Sequence, residues 1–240
     1  MDNKTKRRKF RFAQMGEGPD ILLLGGSVAD WGDVLERLSK SFSVHIPLFS
    51  YDVVREQSDS DLVHYLELIV EELMLNEFSI IAHSVSAFTA IQFAKQHEQK
   101  VKNLIILSFP NLNRDKEALI GKLYDKLTRS NLKKSGLVMR RVFWEVLIKN
   151  QISLLNPRQS DIELAAVTLF VFGEHDVLAS RESLGVFNKQ FLEKSKVIVF
   201  NNCGHLLMKD NPLYLSLVIK KFILENNDQQ IFSLNHTKKI

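Results

Sequence analysis

Apolar residues along the chain follow two alternating periodicities. Short, mostly apolar runs occupy 20–24, 78–82, 102–109, 167–173 and 196–200. Runs of that length read as strands buried on both faces. Between them the apolar positions fall three or four residues apart, the spacing of one helix face. Val34, Leu35 and Leu38 mark a helix over 33–41. A long amphipathic helix is predicted over 61–75, capped by Ser60 with Asp61. Ala87, Ala90, Ile91 and Ala94 mark another, and 181–192 and 213–225 read as two more. Residues 9–14 alternate polar with apolar, as an edge strand does. Residues 42–48 read as a strand interrupted late by Pro47. Residues 15–19, with two glycines and a proline, form a turn, and 51–60 a polar connection.

Strands alternating with helices predict an α/β fold: a mostly parallel sheet with helices on both faces. The alternation stops once. Residues 111–155 show helical spacing without strands, through Leu119, Leu123, Leu127, Val142 and Leu147. This stretch is expected to form a short helical cap over one end of the sheet. A short helix over 157–166 then returns the chain to it. The expected organisation is a basic tail over 1–8, one domain over 9–225 and a polar tail over 226–240.

Functional residues of such a sheet gather at the carboxyl ends of its strands. Four predicted strand ends carry unusual residues: Gly25-Gly26-Ser27, Ser84, Asp176 and His205. Ser84 lies in Ala82-His83-Ser84-Val85-Ser86, where a strand becomes a helix with no room for a loop. Only a sharp turn fits there, and it presents Ser84 at its tip. The usual pattern of such a nucleophile elbow is G-x-S-x-G, and here Ala82 and Ser86 stand for the glycines. The order Ser84, Asp176, His205 allows a relay. Ser84 attacks a carbonyl carbon, His205 takes and returns the proton, and Asp176 holds the imidazole tautomer.

Composition narrows the setting. The 240 residues suffice for one sizeable domain, and 45% apolar with 25% charged residues is ordinary for a globular chain. The net charge of +4 sits largely in Lys4–Lys9 and Lys238–Lys239. A solvated tail is therefore expected rather than a nucleic-acid surface. No apolar run reaches a membrane span, and none follows the basic start as a secretory signal would. Cys203 is the sole cysteine, which excludes an internal disulfide and suits a reducing cytoplasm. Neither metal-ligand spacing nor a nucleotide-binding glycine loop is visible, so no metal or cofactor is expected.

The motifs GEGPDILLLGG, FGEHDVLAS and NNCGHLLMKDNP together resemble the α/β-hydrolase superfamily, over roughly residues 9–225. AHSVSA and LIILSFPNLN resemble one branch of it, that of bacterial sigma-factor-activating hydrolases and plant strigolactone and karrikin receptors. The chain departs from the family pattern in three places. Its His-Gly pair is Gly25-Gly26, Pro47 to Asp52 replace a glycine-rich loop, and the cap is shorter than that branch's lid. The resemblance implies an oxyanion hole from the backbone N–H groups of Ser27 and Val85. It implies cleavage of a small or medium-sized ester or related acyl compound; thioester, lactone or carbon–carbon substrates stay open. The alternative it carries is a ligand-sensing regulatory protein with slow hydrolysis and a protein partner. Gly26, Phe109, Phe143, Trp144, Leu147, Val177 and Leu206 are the expected pocket residues. His83 and His175 are read as structural, and Cys203 as a small core residue. Asp115 ranks below Asp176 as the acid, and Glu67, Glu71 and Glu72 as a solvated helix face.

Overall fold

The computed structural model describes residues 12–47, 59–110 and 162–237. The expected cap over 111–155, the basic tail, most of the 51–60 connection and Asp115 lie outside them. So do the pocket residues Phe143, Trp144 and Leu147.

Seven strands form one sheet: β1 (Phe12–Met15), β2 (Asp20–Leu24), β3 (Ser43–Pro47), β4 (Phe78–His83), β5 (Val101–Leu107), β6 (Val167–Gly173) and β7 (Lys196–Phe200). Their spatial order is β1-β3-β2-β4-β5-β6-β7. β1 runs antiparallel to β3, and every other pairing is parallel. After β2 the chain turns outward to β3, then crosses back to lay β4 on the other side of β2. The order therefore reverses between β2 and β4. Crevices at such reversals are where open α/β sheets hold their sites.

Strand period two sorts the core into two layers. Leu22, Leu24, Ile80, Ala82, Leu104, Ile106, Phe170 and Phe172 face one side. There they meet helices α2 (Asp59–Glu72) and α3 (Ser86–Gln96), which pack on each other. Ile21, Leu23, Ile81, Ile105, Leu107, Leu169 and Val171 face the other side. There they meet α1 (Val28–Leu38) and the last helix. The central strands are buried along nearly their whole length, which is why they read as mostly apolar runs.

Several boundaries differ from expectation. α1 starts at Val28, five residues early, because Ser27 caps it; a break at Gly32 (φ 26°) separates that first turn from Asp33–Leu38. α2 begins at Asp59, so Ser60 and Asp61 lie inside it. Residues 162–166 are not helical. The single helix expected over 181–192 is two: a 3₁₀ helix (Arg181–Val186) and α4 (Lys189–Lys194). Asn188 caps the second one, its side chain accepting from the Gln190 and Phe191 N–H groups. The short α5 (Leu207–Asp210) precedes α6 (Pro212–Thr237), which runs on through the expected polar tail. Asn226 donates back to the Phe222 carbonyl, and Asn227 accepts from the buried Asn103. These two polar residues thus tie the helix down where their type suggested a tail.

Candidate active site

β4 runs to His83, and α3 begins at Ser86. Ser84 takes the turn between them with φ 56°. A non-glycine residue in this left-handed region is strained and uncommon. Neighbouring bonds hold it there. Its N–H continues the ladder to the Leu107 carbonyl at 2.8 Å, and its own carbonyl accepts from Ala87 N–H at 3.0 Å. The flanking positions are filled by the fully buried Ala82 and by Ser86, which sits against Gly25. A Cβ on Gly25 would come within 2.9 Å of Ser86 Oγ and 2.8 Å of the His83 carbonyl oxygen. Bulk added at Ser86 is thus matched by bulk absent at Gly25, which also has φ +85°.

The Ser84 hydroxyl lies 3.0 Å from His205 Nε2. On the far side of the ring, Nδ1 lies 2.9 Å from Asp176 Oδ2 and 3.1 Å from Oδ1. All three are buried, Ser84 at 6% exposure and His205 at 3%. Asp176 Oδ1 also accepts from the Leu178 and Ala179 N–H groups at 2.9 and 3.2 Å. Burial works to raise the Asp176 pKa. It is outweighed by the hydrogen bond and charge of His205, helped by Leu178 N–H and the Ser108 hydroxyl. The net result holds the carboxyl below its ordinary value, hence ionised.

The loop that carries His205 is held from both sides. Glu174 accepts from Asn202 N–H at 2.9 Å, Asp210 from Gly204 N–H at 2.7 Å, and the Cys203 carbonyl from His175 N–H at 2.8 Å. Gly173 packs so tightly beneath it that a Cβ would collide with the Gly204 carbonyl oxygen. Cys203 is buried within this loop. Burial and then the Asp210 charge push its thiol pKa up, which keeps it a protonated core residue.

The two expected oxyanion donors differ in their bonding. Val85 N–H, at the mouth of α3, meets no acceptor among the described residues. Ser27 N–H does not stand free. It donates to Asp30 Oδ2 at 2.8 Å, and the Ser27 hydroxyl donates to the same oxygen at 2.8 Å. In return the Ser27 hydroxyl accepts from Asp30 N–H. This is a capping box, and it spends the donor on the first turn of α1.

Other expected pocket residues divide. Gly26, Val177 and Leu206 reach solvent, Val177 at 57% exposure. Phe109 is placed differently. It is fully buried, with ring centres 5.4 Å from Phe88 and 5.5 Å from Phe187. The strand end that carries it turns into an aromatic core. Glu67 is not a merely solvated residue. It bonds His97 Nε2 at 2.8 Å and His64 Nδ1 at 3.0 Å. Sequence reading did not mark Ser108 or Asp30 at all, although the Ser27-Val-Ala-Asp30 spacing is a capping-box pattern.

The crystal structure of an α/β-hydrolase enzyme from a lagoon-sediment metagenome superposes with TM-score 0.70 at 18% identity, covering 92% of this chain and 98% of that one. The chain has the α/β-hydrolase fold. A thermophilic esterase from Thermogutta terrifontis aligns at TM-score 0.67 and 17% identity, over 90% and 93% of the two chains. A meta-cleavage product hydrolase gives 0.64 and 19%, over 89% and 94%. In sequence, an uncharacterized protein of Mycobacterium bovis is 31% identical over 117 residues, 45% of this chain. The aligned part spans only 34% of that relative's length. A 2-hydroxy-6-oxononadienedioate/2-hydroxy-6-oxononatrienedioate hydrolase of Pseudomonas putida is 23% identical, covering 82% of this chain and 85% of its own. No family model matches the chain. Among the described residues of this α/β-hydrolase fold, no helix is long and apolar enough to cross a membrane.

Proposed function

We propose that the chain is a serine hydrolase that cleaves a small or medium-sized ester or related acyl compound through Ser84, His205 and Asp176. The observation that carries this reading is the unbroken line of contacts, 3.0 Å from Ser84 Oγ to His205 Nε2 and 2.9 Å from Nδ1 to Asp176. An ionised Asp176 must accept, so Nδ1 carries the ring proton and Nε2 is free to accept from Ser84. Ser84 Oγ bonds the substrate's carbonyl carbon while its proton passes to Nε2. The imidazolium then protonates the leaving oxygen, the carbon–oxygen bond breaks, and an acyl-enzyme remains. Water attacks the acyl carbon, giving a proton to Nε2. That proton returns to Ser84 Oγ as the acid leaves. No step requires a cofactor.

The acyl-ester class draws support from the fold neighbours, which include esterases, a thioesterase domain and a meta-cleavage product hydrolase. Fold alone does not choose among these. A fluorophosphonate probe tests the core of the reading: the wild-type chain is labelled and Ser84→Ala is not. Equal labelling of both ends it. A series of p-nitrophenyl esters of rising chain length then measures acyl preference. Failure on every ester by a folded, probe-reactive protein moves the substrate to another acyl class.

One observation favours a second reading, a ligand sensor with slow hydrolysis. The Ser27 N–H is already bonded to Asp30, and one missing oxyanion donor typically costs about 10²–10³ in rate. A single burst of product without sustained turnover, followed by ligand-dependent binding of a partner, selects the sensor. Continuous turnover by the isolated protein selects the enzyme.

A further inference from the structure

We propose that His83 and Ser108 form a two-donor clasp on the backbone carbonyl oxygen of His205, which makes His83 a positioning residue for the proton relay. The inference rests on the relay reading above and adds what holds its central member in place.

His83 is the last residue of β4 and directly precedes Ser84. Its Nε2 lies 2.8 Å from the His205 carbonyl oxygen. The two imidazole rings lie 4.9 Å apart at 58°. Ser108, one residue past β5 and at φ 53°, donates its hydroxyl to the same oxygen at 3.1 Å. Both side chains are buried. Among the described residues no backbone N–H meets that oxygen, although a buried carbonyl needs a partner. Two side chains, one at the end of β4 and one just past β5, thus supply what secondary structure does not.

A packing role would need only the volume of His83. An apolar side chain fills volume equally well, but it cannot aim a donor at one particular oxygen. The oxygen only accepts, so His83 Nε2 must carry the proton. Burial, and then the neighbouring His205, push the His83 pKa down to about 3. The ring therefore stays neutral over the working range, and the donor does not switch with pH. Ser108 is the less dependable half. It has one proton, and the Asp176 carboxylate also draws on its hydroxyl. When that proton turns toward Asp176, His83 is the one donor left on the His205 carbonyl oxygen.

The clasp sets where His205 stands relative to Ser84, because His83 and Ser84 are consecutive residues of one rigid turn. A relay contact of 3.0 Å is sensitive to such placement, since shifts of about 1 Å can reduce rates about 10²-fold.

The test compares His83→Phe, His83→Gln, Ser108→Ala and the Ser108→Ala/His83→Phe double variant in the full chain. It reads fluorophosphonate labelling rate, melting temperature and amide exchange over residues 203–206. A Gln amide places its N–H near the position of His Nε2. His83→Phe is expected to slow maximal labelling 10- to 100-fold with little change in probe affinity. His83→Gln is expected to recover to within about five-fold of wild type. Exchange at 203–206 should quicken in His83→Phe and Ser108→Ala, and the double variant should lose less than the product of the two single losses. Wild-type labelling rates and unchanged exchange in His83→Phe, or equal impairment of His83→Gln and His83→Phe, overturn the clasp. If His83→Phe does not fold, Ser108→Ala decides, because it removes one donor with little volume; unchanged exchange there also overturns the clasp. The relay is judged separately by Ser84→Ala, so a wild type that resists labelling ends the relay reading while loop exchange still tests the clasp.

Discussion

The two sides of the Ser84 turn are built differently. On the histidine side, the loops after β6 and β7 meet in a closed web. Asp176 accepts from His205, Leu178 and Ala179, and Glu174 and Asp210 hold the backbone of the loop between them. On the glycine side, the loop after β2 is satisfied by itself. Ser27 and Asp30 bond each other, and Trp31 Nε1 donates to the Gly25 carbonyl. One side joins Ser84, His205 and Asp176 in a continuous line of contacts. The other is arranged for its own helix start. Pre-organisation therefore has to be judged half by half, since a relay without a charge-stabilising partner delivers only part of the rate.

The largest expected effect comes from breaking the web at its centre. In Asp176→Asn the amide oxygen is expected to stay on the Leu178 and Ala179 N–H groups, which only donate. Its NH₂ group then faces His205 Nδ1 and forces that nitrogen to accept. The proton moves to Nε2, which can no longer accept from Ser84. Turnover should fall by about 10⁴, the scale seen when a triad carboxylate is replaced by an amide, with melting nearly unchanged. A loss under tenfold would mean that the ring is oriented by something else.

Next in size is an acid effect that belongs to the histidine side alone. An unfolded His83 titrates near the ordinary value of 6.5, and the folded one at about 3. Between those values the unfolded chain binds more protons, so stability falls as pH falls. Asp176, also held below its ordinary value, acts in the same direction nearer pH 3.8 and below. The charged and titratable groups that act on His83 are His205, Asp176 and Asp30. From pH 6.5 to pH 5 the His83 term is worth about 2 kcal/mol. His83→Gln removes it. Melting curves at pH 7.5 and 5.0 should therefore drop further for wild type than for His83→Gln. Equal drops would show that His83 takes up its proton freely in the folded chain.

These contrasts bear on what could be read from residue order. The buried strands of the central sheet were legible because each is apolar over most of its length, and the β4–α3 junction because no loop residues separate the two patterns. Ser84, Asp176 and His205 could be nominated since each directly follows or lies near such a run. The convergence of His83 and Ser108 could not be read. It joins residues far apart in sequence through a backbone oxygen, and backbone atoms leave no mark on composition. Ser27 illustrates a different failure. Its pattern with Asp30 was visible, but the helix was expected to start at residue 33, so the cap had nothing to cap. The polar run after Glu225 reads as a tail until Asn103, from the middle of the sheet, supplies a partner.

A smaller change tests the glycine side. Asp30→Asn keeps an acceptor for Ser27 N–H but removes the charge, and uncharged hydrogen bonds are roughly half as strong. Ser27 N–H should then turn more easily toward a developing oxyanion, and no carboxylate would oppose that charge. Turnover of a p-nitrophenyl ester should rise about three- to tenfold, well short of the 10²–10³ of a whole donor. A fall in turnover with unchanged melting would show that Asp30 assists the chemistry, and the two sides would no longer differ in kind.

The smallest effect is expected away from both sides, and it asks whether a dense polar web is itself the mark of a site. Glu67 on α2 bonds His97, at the end of α3, and His64 one turn away. The hydrogen bonds from His64 and then His97 hold its carboxyl below the ordinary value. On connectivity alone this cluster resembles the one around Asp176. It differs in burial, because the Glu67 side chain is 29% exposed and that of Asp176 is sealed. It also lies about 16 Å from the elbow, along the length of α3. Solvent screens such a pair, so its contribution is below about 1 kcal/mol. The contribution is present above the ordinary carboxylate value and is lost as pH falls through the lowered one. Glu67→Gln should lower the melting temperature slightly at pH 7 and leave labelling of Ser84 unchanged. A tenfold change in labelling would mean that α3 transmits this cluster's state to the elbow, and that burial is not what separates the two webs.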